Sequence, residues 1–337
     1  MHNFAMKSPR LALIGCGYWG KNHARNLHAL GVLAIICDPS EAGRALAKEL
    51  APDADIYEDP AQAFHRDDID AVVIATPAET HCDLTLRAFT AGKHVLVEKP
   101  MALTYADAIK MHEGAKAHDR ILMVGHLLEY HPAITKIKEL IADGSMGKIQ
   151  YIYSNRLNFG KIRTEENALW SFAPHDIALI LRLTGAVPFE VTCTGGSYIT
   201  PNLADVSISN LHFVNGVRAH IFVNWLNPFK EQKLVVIGDK KMAVFNDTEP
   251  TNKLVIYDQH VAFDGRIPVL EKADCEVIPL PTAEPLRTQC EAFLEAIRTG
   301  KQPLTDSTSG TNVLRVLQAC QISLQSNGRP TALSEVQ

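Results

Sequence analysis

The chain has 337 residues, of which 46% are hydrophobic and 21% are charged, and its formal net charge is −5. This composition predicts a globular chain of two domains, and the sequence has no basic cluster, which excludes nucleic acid as a partner. Met1–Arg10 has no apolar h-region, no apolar run reaches membrane-spanning length, and the seven cysteines form no C-x-x-C pair. Together these features favour a cytoplasmic chain with reduced thiols and no membrane contact.

The first predicted elements surround a glycine-rich turn. Leu11–Ile14 is an apolar run typical of a strand buried on both faces of a parallel sheet, and Lys21–Leu30 continues as a helix. Between them, Gly15, Gly17 and Gly20 have G-x-G-x-x-G spacing, which also occurs in ordinary turns. The strand before it and the helix after it favour a dinucleotide site, in which helix N–H groups face a diphosphate.

An acidic residue follows at the position that this fingerprint requires. Val32–Cys37 reads as a second buried strand, and Asp38 ends it, 21 residues after Gly17. An aspartate there accepts both ribose hydroxyls of an adenosine and repels a 2′-phosphate, so the pattern predicts NAD rather than NADP. The alternative is a loop aspartate before Pro39 that caps the next helix.

Strand and helix patterns then alternate as far as residue 124, which predicts a doubly wound parallel sheet with right-handed crossovers. The predicted strands are Ala71–Ala75, His94–Val97 and Ile121–Val124, and the predicted helices are Glu41–Leu50, Thr80–Thr90 and Thr104–Asp119. Ligands of such sheets bind beyond the carboxyl ends of the strands. Thr76, Pro77, Lys99 and the segment from Gly125 occupy such ends, so we expect them to line one crevice.

The second half of the chain has a different pattern, with short strands, few helices and the hairpin signal Asn215-Gly216 of the I′ type. The predicted strands are Ile149–Asn158, Phe189–Tyr198, Val206–Val214, Arg218–Trp225, Leu234–Ile237, Met242–Phe245 and Leu254–Tyr257. A helix is predicted over Glu165–Leu183, interrupted at Pro174, and two more over Glu284–Arg298 and Ser309–Ser326. We therefore expect an α/β fold: a Rossmann domain over residues 1–125, then an α+β domain over residues 126–337. The second domain would carry a large, mostly antiparallel open sheet whose free face packs between subunits.

Two side chains could act on a substrate hydroxyl. Lys99 ends a strand before Pro100, where its ammonium can stabilise an alkoxide as hydride leaves. The alternative for Lys99 is a surface lysine paired with Glu98. His175, after Pro174, could be a general base, since histidine titrates near neutral pH. The alternative is an ordinary core or surface histidine.

A third cluster, Arg156–Arg163, carries Arg156, Asn158, Lys161 and Arg163 around one glycine. Three cations in this arrangement could bind a diphosphate or a carboxylate. The alternative is an edge strand guarded by charge. No H-E-x-x-H motif or Cys/His cluster with metal-ligand spacing is present in the sequence, so we assign no metal.

The motifs GCGYWG, ATPAETH and EKP, followed by a mid-chain histidine, resemble the Gfo/Idh/MocA oxidoreductases over essentially the whole chain. The resemblance implies that Lys99 of EKP and His175 lie at the reacting carbon. Many members carry an aspartate four residues before this histidine; Ser171 stands here instead, so Asp176 is expected to orient His175. The resemblance adds Tyr18, Trp19, His81, Glu98 and Trp170 to the expected NAD contacts.

The stretches GYWGKNHARNL, GHLLEYHP and SNRLNFGKIRTEENALWSFAPHDI are similar to the branch that oxidises UDP-activated amino sugars. This similarity implies NAD-dependent oxidation of the C3 hydroxyl of UDP-N-acetylglucosamine, or alternatively of its uronate. Lys99, Arg156, Asn158, Lys161, Arg163, His175 and Asp176 would bind the substrate. It also implies a homotetramer, and a PLP aminotransferase as functional partner in lipid A or O-antigen assembly. A non-catalytic sensor of NAD and a sugar nucleotide is the alternative from another class.

Overall fold

A computed structural model describes residues 8–337, so most of the segment Met1–Arg10, in which no apolar h-region is predicted, lies outside the described residues. The chain divides into two compact units. Unit 1 comprises residues 8–127 and 284–314, and unit 2 comprises residues 128–283 and 315–337. The predicted division placed everything after residue 125 in one domain, whereas residues 284–314 return to unit 1. They do so because their helix contacts the helix that follows the glycine-rich turn.

The described residues form the following helices: α1 (Gly20–Ala29), α2 (Glu41–Leu50), α3 (Ala61–Phe64), α4 (His81–Thr90), α5 (Tyr105–Ala117), α6 (Pro132–Ala142), α7 (Ala168–Thr184), α8 (Pro285–Thr299) and α9 (Ser307–Gln325). Three short 3-10 helices cover Ala78–Thr80, Leu127–Tyr130 and Leu333–Glu335. No helix in residues 8–337 is both long enough and apolar enough to cross a membrane.

The sheet of unit 1 has six strands: β1 (Leu11–Ile14), β2 (Leu33–Cys37), β3 (Asp55–Tyr57), β4 (Ala71–Ile74), β5 (His94–Val97) and β6 (Leu122–Val124). All pair in parallel in the order β3-β2-β1-β4-β5-β6, which confirms the doubly wound sheet. Every residue of β1 and β4 is buried, as their continuous apolar runs predict. The sequence patterns did not predict β3 or α3, since neither has a continuous apolar run.

Helix caps in unit 1 follow local chemistry. The Ser40 hydroxyl accepts a hydrogen bond from the Gly43 N–H at 3.0 Å and begins α2. Thr104 caps α5 in the same way through the Asp107 N–H at 3.1 Å, as its sequence pattern predicts. Helix α1 contacts α2 and α8, while α4 contacts α5, so helices cover the sheet in two groups.

The sheet of unit 2 has nine strands: β7 (Ile149–Phe159), β8 (Glu190–Gly196), β9 (Val206–His212), β10 (Arg218–Asn224), β11 (Leu226–Gly238), β12 (Met242–Asn246), β13 (Leu254–Asp264), β14 (Ile267–Val277) and β15 (Thr331–Ala332). Their order is β14-β13-β12-β11-β7-β10-β9-β8-β15. Only the β7–β10 pair is parallel among these described strands, which confirms the mostly antiparallel sheet.

The hairpin signal at Asn215-Gly216 is placed correctly between β9 and β10, but its turn type differs from the prediction. A type I′ turn needs positive φ at both central residues, whereas only Gly216 is left-handed here, with φ +88°. The Gly216 N–H donates to the Phe213 carbonyl at 3.1 Å. The glycine therefore ends the turn in the conformation that disfavours a side chain.

The two faces of the unit 2 sheet differ in character. One face packs against α7, with Ala219, Ile221 and Val223 of β10 at most 2% exposed. On the opposite face the rings of Tyr153 and His220 stack with centroids 5.2 Å apart. By strand alternation, half-exposed Phe222 and Ile208, which is 44% exposed, also point to this face. Such an apolar and aromatic face is typical of an interface.

We predict that this face joins subunits, most simply in a D2 tetramer. Phe222→Asp should shift sedimentation towards smaller species, because a charge would be buried at the interface. Val214→Asp, at an 86% exposed hairpin position, is the matched control and should not change the oligomeric state. A monomer at micromolar concentration in the unmodified protein would contradict the prediction.

Candidate active site

The glycine-rich turn of unit 1 fits the diphosphate of a dinucleotide. Gly15 has φ +91°, and a Cβ there would lie 2.9 Å from the Ala75 carbonyl oxygen. A Cβ at Gly20 would lie 2.1 Å from the Gly15 carbonyl oxygen, so only glycine allows α1 to start here. Gly17 is different: it is exposed, and a Cβ would meet no atom within 4 Å. The open space over Gly17, at the N-terminus of α1, is the cradle that a diphosphate requires.

Tyr18 and Trp19 project from this turn. Tyr18 is 87% exposed, with the Lys21 ammonium 5.6 Å from its ring centroid, and Trp19 is 37% exposed. Their aromatic surfaces border the cradle over Gly17, and their contact with NAD stays a prediction.

Asp38 ends β2 with its carboxylate held in place. One oxygen accepts the Cys16 N–H at 2.7 Å, and the other accepts the Ser40 N–H at 2.8 Å and the Ser40 hydroxyl at 2.6 Å. A Cβ on Gly43 would lie 2.3 Å from this carboxylate, so α2 approaches it through a glycine. Each carboxylate oxygen can accept more than one hydrogen bond, so a ribose contact remains open to Asp38.

Removing the charge of Asp38 should weaken the preference for NAD over NADP. We expect Asp38→Asn to lower the ratio of the two kcat/KM values by ~10-fold, because the 2′-phosphate no longer meets a carboxylate. Asp53→Asn, an exposed carboxylate in the loop after α2, is the control and should keep the wild-type ratio. Equal use of both cofactors by the unmodified protein would contradict the assignment.

Glu98, the last residue before Lys99, lies in a buried cluster. One carboxylate oxygen accepts the Trp19 indole N–H at 2.7 Å and lies 2.7 Å from His23 Nε2. The other accepts the Lys99 N–H at 3.1 Å. His23 is fully buried and Glu98 is 6% exposed. Glu98 is therefore bound on both oxygens by the protein, and its predicted contact with NAD would be indirect.

The two buried groups keep each other charged. Burial lowers the pKa of His23, but its contacts with Cys290 and Glu98 and the charge of the carboxylate outweigh this and raise the pKa to about 10. Burial raises the pKa of Glu98, but the hydrogen bond and charge of His23, with Trp19 and the Lys99 N–H, hold it below its usual value. Both directions favour the charged forms of the pair, an imidazolium and a carboxylate.

Lys99 is half-buried and follows β5, and its peptide bond to Pro100 is cis. His81 joins this turn to the loop after β4, with ring nitrogens 2.9 Å from the Pro100 and Thr76 carbonyl oxygens. Burial lowers the pKa of His81, despite both carbonyl contacts. The 1% exposed ring thus supports two loops, and direct contact of His81 with NAD stays a prediction.

The loop after β4 is closed by its own hydroxyl groups. The Thr76 and Thr80 hydroxyls lie 2.6 Å apart, and Thr80 donates to the Pro77 carbonyl at 2.8 Å. Thr76 and Pro77 follow the carboxyl end of β4, which pairs with β1 before the glycine-rich turn, and their place in a ligand crevice stays a prediction.

His175 lies on α7 of unit 2. The Asn167 side chain accepts the Trp170 N–H at 3.0 Å and begins the helix, and Gly185 ends it with φ +64°. Pro174 lies inside this helix, so the predicted interruption is wrong: packing of the largely buried helix outweighs the missing N–H. Ser171 and half-buried His175 are four residues apart and share one helix face.

Trp170, predicted to contact NAD, has a partner within unit 2. Its indole N–H donates to the Gln321 amide oxygen at 3.0 Å, and the Asn167 side-chain amide donates to the same oxygen at 2.9 Å. Gln321 of α9 thus holds the start of α7. The contact of Trp170 with NAD stays a prediction.

Arg156 and Asp176 form a buried ion pair. Arg156 Nε and Nη2 donate to the two carboxylate oxygens at 2.9 and 3.0 Å, and the Ser154 hydroxyl donates at 2.6 Å. Burial lowers the pKa of Arg156, but the charge and hydrogen bonds of Asp176 outweigh this and raise it. Arg156 and Asp176, both predicted to bind the substrate, are thus paired with each other in this structure. Both direct roles stay predictions.

Breaking this pair should destabilise the protein. Asp176→Asn leaves the Arg156 charge buried without its carboxylate, so we expect the free energy of unfolding to fall by ~3 kcal/mol. Urea unfolding followed by circular dichroism measures this change. Asp258→Asn removes the exposed partner of Lys241 in the same unit and should cost less than about 1 kcal/mol. Equal losses in the two variants would contradict the prediction.

The remaining predicted substrate residues follow Arg156 along the chain. Asn158 is half-buried and, by strand alternation, lies on the sheet face of Ser154 and Arg156. Lys161 is exposed, and Arg163 Nε lies 3.2 Å from a Glu166 carboxylate oxygen. These side chains occupy the end of β7 and the loop before α7, and their contact with a substrate stays a prediction.

Sequence reasoning missed the residues that hold these groups in place. His23, Ser154 and Gln321 contact partners that are 75, 22 and 151 positions away in the chain. One of these residues had a local signal in the sequence. His23 is three residues after Gly20 on the first turn of α1, and therefore lies on the same helix face as that glycine.

Family models match both parts of the chain. The model described as the oxidoreductase family with an NAD-binding Rossmann fold, GFO_IDH_MocA, matches residues 9–126. The model of the GFO/IDH/MocA C-terminal domain matches residues 134–244.

Three relatives illustrate the range of similar proteins. A UDP-N-acetylglucosamine 3-dehydrogenase of Acidithiobacillus ferrooxidans is 27% identical over 94% of this chain and 97% of its own length. Its solved structure aligns with a TM-score of 0.83 at 26% identity, over 94% of this chain and 98% of that chain. Inositol 2-dehydrogenase 2 of Paenarthrobacter aurescens is also 27% identical, over 96% and 98%. A 2,7-anhydro-N-acetylneuraminate hydratase of Mediterraneibacter gnavus is 32% identical, but over 62% of this chain and 58% of that protein.

Proposed function

The chain belongs to the Gfo/Idh/MocA family of NAD-binding oxidoreductases, and from this premise we propose that it oxidises the C3 hydroxyl of UDP-N-acetylglucosamine. The product is the 3-keto nucleotide sugar, and NAD is the hydride acceptor. Similarity over nearly the full length of a UDP-N-acetylglucosamine 3-dehydrogenase supports this substrate, although an inositol dehydrogenase is similar to the same extent.

The observation that favours a UDP sugar over a cyclitol or a free sugar is Ser171. Cyclitol and free-sugar enzymes of the family often place an aspartate four residues before the reacting histidine. Here a 4% exposed serine occupies that position, one helical turn from His175. The chain therefore lacks the carboxylate of an Asp–Lys–His triad, and the aspartate next to His175 is paired with Arg156.

The chemistry requires a proton acceptor and a group that stabilises an alkoxide. In the proposed mechanism His175 takes the proton of the C3 hydroxyl, since a neutral imidazole is a suitable base near pH 7. Lys99 donates a hydrogen bond to the same oxygen and stabilises its developing charge. When bound, NAD supplies the electrophilic ring that accepts the hydride from C3. Gly17 and the N-terminus of α1 would hold its diphosphate, and Asp38 would hold its adenosine ribose.

Lys161 and Arg163 are the proposed partners of the UDP diphosphate. Both lie in the loop before α7, and neither is buried. A diphosphate would compete with Glu166 for Arg163, because charge-assisted contacts with phosphate are stronger than an exposed ion pair.

The 3-keto product is a substrate for transamination. We propose that a PLP-dependent aminotransferase consumes it and installs a 3-amino group, as lipid A or O-antigen assembly requires. By removing the ketone, this step would also shift the equilibrium of an unfavourable oxidation towards the product.

The experiment follows NADH absorbance with UDP-N-acetylglucosamine, its uronate, free N-acetylglucosamine and myo-inositol in parallel. The proposal expects the highest kcat/KM with UDP-N-acetylglucosamine. A preference for myo-inositol would overturn it, and a preference for the uronate would transfer the function to the C6-carboxylate sugar. Binding of NADH and of the UDP sugar without turnover would indicate a sensor.

A further inference from the structure

The buried cluster of Glu98, His23 and Trp19 lies between the cofactor turn and the proposed reacting lysine. Trp19 belongs to the glycine-rich turn, and His23 to the first turns of α1. Glu98 directly follows β5 and precedes Lys99. Glu98 therefore accepts hydrogen bonds from one side chain of the glycine-rich turn and one of α1. It accepts a third from the main-chain N–H of Lys99.

The surroundings of Glu98 are shaped to admit its carboxylate. A Cβ on Gly125, the residue after β6, would lie 2.8 Å from one Glu98 carboxylate oxygen, so a larger residue there would displace the carboxylate. His23 is fully buried beside it, with Nε2 2.7 Å from a Glu98 carboxylate oxygen. A buried carboxylate that accepts three N–H groups has little freedom to move, since any displacement leaves donors unsatisfied.

We propose that Glu98 is a positioning residue, which holds the Trp19 indole and the main chain of Lys99 in one fixed arrangement and so couples cofactor binding to catalysis. This inference rests on the proposed role of Lys99 in hydride transfer. Glu98 itself touches neither substrate nor NAD in this account. Its effect passes through Trp19, whose partly exposed ring borders the cradle, and through the lysine that follows it.

The substitution Glu98→Gln tests this role because it preserves size, removes the carboxylate charge and replaces one of the two acceptor oxygens with an NH₂ donor group. A glutamine amide has one acceptor oxygen and one NH₂ donor group, while the cluster presents donors at both positions. The NH₂ group must therefore face either the Lys99 N–H or the Trp19 and His23 donors. One of the two connections is lost in either orientation.

The experiment measures the Kd of NADH by energy transfer from tryptophan, and kcat with saturating NAD and UDP-N-acetylglucosamine. We expect Glu98→Gln to raise the NADH Kd by ~10-fold and to lower kcat by ~10²-fold, since a displacement of ~1 Å at the reacting group has effects of this size. Trp19→Phe should raise the NADH Kd measured by calorimetry. The Kd changes of the two single variants should not add in the double variant, because Trp19 and Glu98 act through one hydrogen-bond cluster.

Asp205→Asn is the matched control. Asp205 of unit 2 is also fully buried and accepts an indole N–H, from Trp225, and two main-chain N–H groups, from Tyr198 and Ile199. Its replacement should reduce stability in a similar way and leave the NADH Kd unchanged. A weaker NADH affinity in both variants to the same extent would show a general structural effect and overturn the proposal.

The proposal is also overturned if folded Glu98→Gln keeps its NADH Kd and kcat within two-fold of wild type, or if the Trp19 and Glu98 effects add. If Glu98→Gln does not fold, His23→Gln replaces it in the same double-variant cycle, since His23 and Trp19 share one carboxylate oxygen. The NADH measurements require no sugar substrate. A failure of the proposed substrate therefore leaves them decisive for Glu98.

Discussion

Replacing His175 with asparagine should lower kcat by ~10²–10⁴-fold at neutral pH, while NADH and the UDP sugar still bind. The proton of the C3 hydroxyl moves only on the way to the transition state, so loss of the base affects the chemical step rather than ground-state binding. Asparagine retains a polar side chain on α7 but cannot accept the proton at this pH. Steady-state kinetics and calorimetry together separate the two effects.

The pH dependence gives the His175 prediction a second readout. Because the base acts in its neutral form, the wild-type rate should fall as the pH drops into the range where an imidazole gains a proton. This acidic limb should be absent in His175→Asn. His65→Asn, an exposed histidine in unit 1, is the control and should keep both kcat and the limb. Near-full kcat with a surviving limb in His175→Asn would assign the base role to Lys99.

Replacing Lys99 with methionine should reduce kcat to a similar extent and also weaken sugar binding. Methionine has a similar length but no donor, so the alkoxide that forms at C3 loses its charge-assisted hydrogen bond. The ammonium also contacts the hydroxyl in the ground state, so KM for the sugar should rise, unlike in His175→Asn.

The control for Lys99→Met is Lys110→Met, which removes an exposed lysine that pairs with Asp107 on α5. It should leave kcat and KM unchanged. A Lys99 variant with unaltered kcat would remove Lys99 from the proposed chemistry, whatever the result for His175.

The sequence predicted those features that local pattern determines. β1 was predicted correctly because a strand buried on both faces has an unbroken run of apolar residues. The glycine-rich turn was predicted correctly because its backbone requires glycine at positions 15 and 20, which are close together in the sequence. The cap of α5 at Thr104 is equally local. Besides the short elements β3, α3 and β15, the patterns missed β14, in which every residue is exposed, and α6, which begins at Pro132 directly after a 3-10 helix.

Sequence patterns could not predict contacts between residues that are far apart in the chain. Arg156, Lys161 and Arg163 look equivalent along the chain, yet only Arg156 meets Asp176 in the interior, because β7 pairs its Ser154–Arg156 face with α7. Glu98 was assigned to the cofactor by family resemblance, and no sequence pattern indicated that the fold brings His23 and Trp19 onto its carboxylate. Such pairs depend on how elements pack, which neighbouring residues do not encode.

The central claim is oxidation at C3 of UDP-N-acetylglucosamine with hydride transfer to NAD. The most direct test uses UDP-N-acetylglucosamine carrying deuterium at C3 and mass analysis of the reduced cofactor. The account predicts NADH that is one mass unit heavier, formed together with a 3-keto nucleotide sugar that has lost its label. Unlabelled NADH with deuterium retained in the sugar, or no reduced cofactor at all, would contradict it.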